Sequence, residues 1–416
     1  MHRPLSDQLQ WVDTQHARLC RLVTEWASVN SGSYHLEGLR RCTEAVVREF
    51  RLLGADEQWV DLPPHTVVND AGELTSRPLG RAVRLVKRPG APRRVLLAIH
   101  VDTVYGPDDP FQAVTQLDSN TLRGPGVVDA KGGLAVMLAA LEALERSPVA
   151  DRVGWTVLIN PDEELGSPGS SHLFDALAKE HDVGLLFEPA LPDGSLVVLR
   201  KGSGNFSAVM RGRSAHAGRD FRKGRNAIRE LAKFIVEVDA LNAAGGGLTV
   251  NVGQVQGGGA VNVVPDLAIC RFNVRVTSPS QQSDVEARLA ALVREFNVHE
   301  GFNLSVHGLF SAPPKIPDGA TRWLIDHAVA CGREIGLNLQ LGDSGGTCDG
   351  NRLAAAGLPN VDSLGPRGGN LHSPDEFLLL DSLTERAKLT ALLLMKLATG
   401  ELEWPTPAGA RREGRR

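Results

Sequence analysis

The chain has 416 residues, 42% of them apolar and 23% charged, with a formal net charge of -4. That length exceeds what one core usually holds, so two domains are expected. The near-balanced charge argues against nucleic-acid binding, and no run reaches the ~18 uncharged apolar residues of a membrane helix.

The first residues, Met1-His-Arg-Pro-Leu-Ser-Asp-Gln8, carry no apolar segment, so no secretory leader is expected there. Five cysteines (Cys20, Cys42, Cys270, Cys331, Cys348) are scattered and unpaired in spacing. They fit a reducing compartment, and a cytoplasmic location is expected. Residues 6–53 read as helical, with Leu9, Val12, Leu19, Leu22, Val23 and Trp26 recurring near helical spacing and a second run over 36–53. Asn30-Ser-Gly-Ser33 lies between them as a loop with a possible N-cap. Stretches 81–86 and 94–99 read as strands.

The second of these strands runs into His100-Val-Asp102, two polar residues placed on one face at the strand's carboxyl end. Open α/β sheets bind their ligands at such ends. Next comes Leu122-Arg-Gly-Pro-Gly-Val-Val-Asp-Ala-Lys-Gly-Gly133, a glycine-rich turn leading into a helix with Leu134, Met137, Leu138 and Leu141 on one face. Asp129 falls at or near that helix N-terminus, either as a cap or as a carboxylate offered to a ligand. A third apolar stretch, Trp155-Thr-Val-Leu-Ile-Asn160, ends in Pro161-Asp-Glu-Glu-Leu-Gly-Ser167. A fourth, Val183-Gly-Leu-Leu-Phe187, ends in Glu188. Acidic residues gathered at one sheet edge are costly unless something positive neutralises them, which points to a metal site.

From about Lys201 the pattern changes to β-α-β-β-α-β, with an alternating stretch over 206–211, a helix over 226–241, strands over 248–255 and 266–276, a helix over 282–296 and a strand over 303–308. That order is ferredoxin-like and reads as an insertion. The expected division is 1–199, catalytic; 200–312, lid and dimerisation; and 313–416, catalytic again, ending in a basic tail at 411–416 read as solvated disorder. The last part holds a helix over 320–335, the turn Gly345-Gly-Thr-Cys-Asp349, a strand-like 361–365, the run Leu371-His-Ser-Pro-Asp-Glu376 and a closing helix over 380–398. The basic residues near 201–205, 219–225 and 367–370 hint at an acidic substrate.

Taken together, the candidate ligands are His100, Asp129, Glu164, Glu188 and His372, a mixed nitrogen and oxygen set that suits Zn²⁺, with Mn²⁺ or Co²⁺ as substitutes. The ordered motifs around them resemble the M20 family of zinc metallopeptidases, closest to the glutamate carboxypeptidase (carboxypeptidase G2-like) branch, over about residues 10 to 400. The resemblance implies an α/β fold, a zinc-peptidase-like mixed sheet flanked by helices, with an inserted ferredoxin-like lid and dimerisation domain. It implies two Zn²⁺ per subunit bridged by Asp129, one completed by His100 and Glu188, the other by Glu164 and His372. By the same resemblance Asp102 orients His100, Glu163 is the general base, and His216 reaches the active site of the partner in a homodimer. Arg275 and Asn262 would hold the substrate carboxylate, with Gly346 and Thr347 lining the pocket. The Asp129–Ala130 peptide bond is a candidate cis bond. Cys348, where serine is usual, and Ala130, where aspartate is common, depart from the pattern without removing a ligand.

The implied activity is hydrolysis of an amide bond in an N-acyl amino acid or dipeptide with a free carboxylate. The alternatives are a deacylase of the acetylornithine deacetylase or succinyl-diaminopimelate desuccinylase type, and a non-catalytic dimeric ligand-binding homologue. The partners expected are a small-molecule substrate and a second copy of the chain, with neither nucleic acid nor membrane.

Overall fold

The computed structural model describes residues 3–405, so the basic tail at 411–416 lies outside the described residues. A six-stranded sheet runs in the order Asp56–Val60, Ala82–Lys87, Gly154–Asn160, Arg94–His100, Val183–Leu186, Asn360–Val361. Arg94–His100 is parallel to both of its neighbours, whereas the first two strands join antiparallel. The sheet is therefore mixed, as expected.

Both faces of the central strand are buried, which explains its unbroken apolar run. Val95, Leu97 and Ile99 enter the larger core with the helices, while Leu96 and Ala98 enter a smaller core with Phe174 and Leu353. The helix Gly133–Glu145 is enclosed almost all round, Leu134 to Leu141 being buried without a break. The one-faced amphipathic helix expected there is thus corrected: it lies between the sheet and the closing helix Asp381–Thr399, and apolar residues are needed on every side. A Cβ at Gly133 would meet the carbonyl oxygen of Phe187 at 2.2 Å. Only glycine lets the helix start approach the strand end that precedes Glu188.

The inserted unit comprises Gly202–Arg211, Ala227–Asp239, Thr249–Gly257, Leu267–Val276, Pro279–Asn297 and Asn303–Ala312. Its strands pair antiparallel in the spatial order third-listed element, Leu267–Val276, Gly202–Arg211, Asn303–Ala312, which is the ferredoxin-like arrangement. Phe206, Phe234, Phe272 and Phe296 fill a core between this sheet and its two helices, separate from the larger core. Alternation then turns Ser203, Asn205, Ser207 and Val209 to the opposite face. A hairpin, His65–Val68 with Leu74–Arg77, packs against that face: Val68 meets Val209 and Ile269, and Arg271 donates to the carbonyl of Val68.

Several elements differ from the sequence reading. The loop 30–33 does not cap the next helix, whose N-cap is His35 without a side-chain bond. Ser33 instead donates to the Asp102 carboxylate at 2.7 Å, and Ser31 accepts from the buried Lys131 ammonium at 2.7 Å. The loop therefore braces the site from about 70 to 100 residues away in sequence. The edge strand Asp56–Val60 and the 65–77 hairpin carry no strong periodic signal, and the strand expected over 361–365 reduces to Asn360–Val361. All five cysteines are free, and no helix among the described residues is long and apolar enough to cross a membrane.

Candidate active site

The carboxyl ends of three adjacent parallel strands converge. His100 closes one strand, Asp162-Glu-Glu164 follow Asn160 on the next, and Glu188 lies two residues past the third. Asp129 sits in a turn over Val127–Gly132 with non-helical angles (φ -116°, ψ 85°), and the following helix is capped by Gly132. Its carboxylate is therefore not used as a helix cap and faces the strand ends. The Asp129–Ala130 bond is cis. Glu376 accepts from the backbone N–H groups of Val128 and Asp129 at 3.1 and 3.2 Å and so holds this turn in place. The sequence reading quoted Glu376 only as part of a motif and gave it no role.

Two groups of three ligand side chains form here: His100, Asp129 and Glu188, then Asp129, Glu164 and His372. His100 Nε2 lies 3.0 Å from Asp129 Oδ1 and 3.9 Å from Glu188 Oε2. His372 Nε2 lies 3.5 Å from Asp129 Oδ2 and 3.2 Å from Glu164 Oε2. Asp129 thus turns one oxygen to each group. The structure brings together all five residues singled out as ligands, in the expected pairing.

Asp102 is fully buried beneath them. Its backbone carbonyl lies 3.1 Å from His100 Nδ1 and its carboxylate 3.4 Å away. The carboxylate also accepts the backbone N–H groups of Glu163 and Glu164, both at 3.2 Å. It therefore fixes three site residues rather than one. Glu163 and Glu164 are consecutive in a 3₁₀ turn, Glu163–Leu165. At about three residues per turn, their side chains diverge by roughly 120°. Glu164 enters a ligand group and Glu163 does not.

Burial and mutual contact shift the ionisable side chains of both ligand groups. Burial, reinforced by Glu188, pushes Glu163 well above the usual carboxylate range. Burial also raises Glu164, and it carries Glu188 to about 8 with help from Asp129. Burial opposes charge on His100, yet Asp102 and Asp129 pull it well up. Bonds to Asp129 and Glu164 lift His372 to about 10. Asp129 is the exception: burial acts to raise it, and the two imidazoles outweigh that and hold it low. Protons are retained where cations would sit, and a divalent ion between these nitrogen and oxygen donors would displace them. The donor set fits such a group.

A cavity of about 190 Å³ opens beside the cluster, lined by Glu163, Glu164, His372, Gly346, Thr347 and Cys348, and by Arg275, Ser203 and Asn205 from the inserted sheet. Arg275 Nε donates to Asn273 Oδ1 at 3.0 Å. Its guanidinium is shifted down by burial, with Glu163 acting against that. His216 and Asn262 do not line this cavity. They are neighbours on the inserted unit's surface, where Ala217 N–H donates to the Asn262 carbonyl and both residues are exposed. Asn262 therefore does not join Arg275 within one chain. None of the basic residues behind the hint of an acidic substrate lines this cavity. Arg367 pairs with Asp381 and Glu385, Arg225 donates to the Glu300 carbonyl, and Lys201 donates to Gly247.

Fold and cluster together define a hydrolase of the metallopeptidase class. The chain belongs to peptidase family M20/M25/M40, whose sequence profile matches residues 96–396. It is 30% identical over 314 residues to carboxypeptidase G2 of Pseudomonas sp. (strain RS-16), covering 74% of this chain and 75% of that one. It is 27% identical over 351 residues to a succinyl-diaminopimelate desuccinylase of Dechloromonas aromatica, covering 78% and 91%. Its fold matches that of a tripeptidase from Staphylococcus aureus with a TM-score of 0.69 at 21% identity, covering 92% and 99%.

Proposed function

We propose that the chain is a dizinc amidohydrolase that releases an amino acid with a free α-carboxylate from an N-acyl amino acid or a dipeptide. The observation that carries this reading is the Asp129 carboxylate shared between two ligand groups, with Glu163 and Arg275 in the cavity beside them. His100, Asp129 and Glu188 would hold one ion, and Asp129, Glu164 and His372 the other. Bound there, the ions would supply Lewis acidity to the substrate carbonyl and to a water. Glu163 takes the proton from that water and delivers it to the leaving nitrogen. Arg275 offers a planar fork to the substrate carboxylate, and Gly346 and Thr347 shape the wall opposite. The reading takes residues 1–199 and 313–416 as the catalytic part and 200–312 as the lid.

The same proposal places His216 and Asn262 in the active site of a second copy. Both are exposed and outside this chain's own cavity. Thr249–Gly257 is an edge strand of the inserted sheet, and Val255, Val261 and Val236 are exposed on that unit. An edge with apolar neighbours suits pairing with its own copy. We also propose a cytoplasmic location, on the five free cysteines.

The test is metal analysis of the dialysed protein together with a screen of N-acetyl amino acids, dipeptides, N-acetylornithine and N-succinyl-diaminopimelate. Two zinc ions per chain and release of a free amino acid from the first two classes are expected. Turnover confined to N-acetylornithine or the succinylated diamine would move the chain to the deacylase alternative. Two bound ions with no hydrolysis of any amide would overturn the reaction proposed.

A further inference from the structure

The cavity beside the metal ligands does not end at the inserted sheet. Asn205, which lines it, also lines a groove of about 770 Å³ between the open face of that sheet and the 65–77 hairpin. The register explains the continuity. Ser203 pairs with Arg275, Asn205 with Asn273, and Ser207 with Arg271, so these rows step outward along one face of the sheet. Asn273 sits between the two spaces: it accepts from Arg275 Nε and donates to Asn205 Oδ1 at 2.8 Å. The same row is completed by Asn251 from the edge strand and Leu309 from the opposite one.

The lining of the groove holds amide and hydroxyl side chains and the imidazoles of His65 and His307, together with the apolar Val67, Leu74 and Leu309, and includes neither aspartate nor glutamate. His65 shares a hydrogen bond with the Tyr34 hydroxyl at 2.8 Å and is shifted down by burial, and His307 Nε2 lies 3.0 Å from Ser305 Oγ. The groove's one guanidinium, Arg271, is already paired with Asp70 at 3.0 Å, so no free guanidinium or ammonium waits for an incoming carboxylate. The Asn205 Nδ2 donor and the whole Asn251 amide make no hydrogen bond to another described residue. Leu74 and Leu309 are 56% and 65% exposed. A carboxylate entering here would be partly desolvated without a free guanidinium or ammonium to pair with. An uncharged chain bearing an amide would find donors, acceptors and an apolar wall.

We propose that this groove is the specificity subsite for the side chain of the released amino acid, and that it selects uncharged, amide-bearing chains long enough to pass Arg275. The inference rests on the reaction proposed above, in which Arg275 holds that amino acid's carboxylate. It separates this chain from a strict preference for glutamate.

The test compares kcat/KM for N-acetylalanine, N-acetylglutamate, N-acetylglutamine and the Nγ-propyl amide of N-acetylglutamine on the metal-loaded full chain. Glutamine over glutamate by about tenfold is expected, the gain of one well-placed contact, with the propyl amide at least as good as glutamine. Asn205→Ala and Leu309→Asp, both at exposed positions, should each shrink the ratio of propyl amide to alanine several-fold. Glutamate preferred over glutamine, or variants that lower every substrate in equal proportion, would overturn the subsite. Should none of the four be hydrolysed, the choice of acyl group fails rather than the subsite, which is then decided by binding. A larger rise in Tm with free Nγ-propylglutamine than with glutamate supports it, and an equal or smaller rise overturns it.

Discussion

Replacing Glu163 by glutamine is the sharpest perturbation of this site. The side chain lines the cavity yet belongs to neither ligand group. Without metal, burial and the nearby carboxylates favour its protonated form. Glutamine has nearly the shape and charge of that protonated form, so folding stability should change by less than ~0.5 kcal/mol. Metal content should stay at the wild-type level. What the variant loses is the ability to accept and return a proton, a function that contributes typically about 10²–10⁴-fold in rate. At 1.36 kcal/mol per decade this is a barrier increase of about 3–5.5 kcal/mol. The loss should fall on kcat, because Arg275 and the cavity walls are untouched. Inductively coupled plasma analysis and steady-state kinetics on the best substrate measure both quantities. Glu164→Gln is the control: it removes a ligand of the His372 group, so it should lose metal as well as rate. A Glu163→Gln protein that binds less metal, or that keeps kcat within tenfold, would falsify the division of labour between the two glutamates.

Three further outcomes follow from the packing. Burial acts to raise Asp362, but Arg200 and Lys315 outweigh it and hold it at about 2, against an ordinary 3.8. Its contribution of about 2.5 kcal/mol is present above the unfolded value and is lost as pH falls through about 2. Asp362→Asn should remove that dependence, so the gap in urea stability between the two proteins narrows below pH 4; a constant gap from pH 5 to 2 refutes it. Burial holds His181 at about 4, with its ring nitrogens 2.7 Å from the Leu177 carbonyl and 2.9 Å from the Thr156 hydroxyl. Its folded value is depressed, so about 3 kcal/mol is present above pH 6.5 and lost as pH falls through 4; urea titrations of His181→Gln should lack that slope. Leu138 is fully buried in the helix behind Asp129, and Leu138→Ala should cost roughly 2–5 kcal/mol by calorimetry or denaturant.

Much of the site was legible because of how a parallel sheet is made. Its strands are buried on both faces, so each appears as an unbroken apolar run, and the polar residue that ends the run marks a carboxyl terminus where ligands gather. His100 and Glu188 were located by that rule alone; Glu164 was legible only as one of a cluster with Asp162 and Glu163, and it and His372 were singled out through the motifs around them. What spacing could not reveal are contacts made by residues far apart in sequence. Ser31 and Ser33 look like cap residues, yet their partners are Lys131 and Asp102. Arg367 and Arg225 look like a charged rim, yet Arg367 pairs with Asp381 and Glu385 and Arg225 donates to the Glu300 carbonyl. The 65–77 hairpin is four residues on each side with a single buried position. It has no periodicity of its own because its role is to lie against another unit.

The adjacency of Glu163 and Glu164 shows where sequence and structure meet. Two carboxylates in a row would ordinarily repel, and in a strand they would point to opposite faces of the sheet. Here a 3₁₀ turn spreads them by about a third of a rotation, and a single buried carboxylate, Asp102, accepts both backbone N–H groups. The two directions are therefore set by one anchor that also sits against His100. Moving that anchor would turn both glutamates and an imidazole together. Asp102 thus acts as a positioning residue for the whole centre, which explains why it is fully buried and bonded to backbone rather than to solvent.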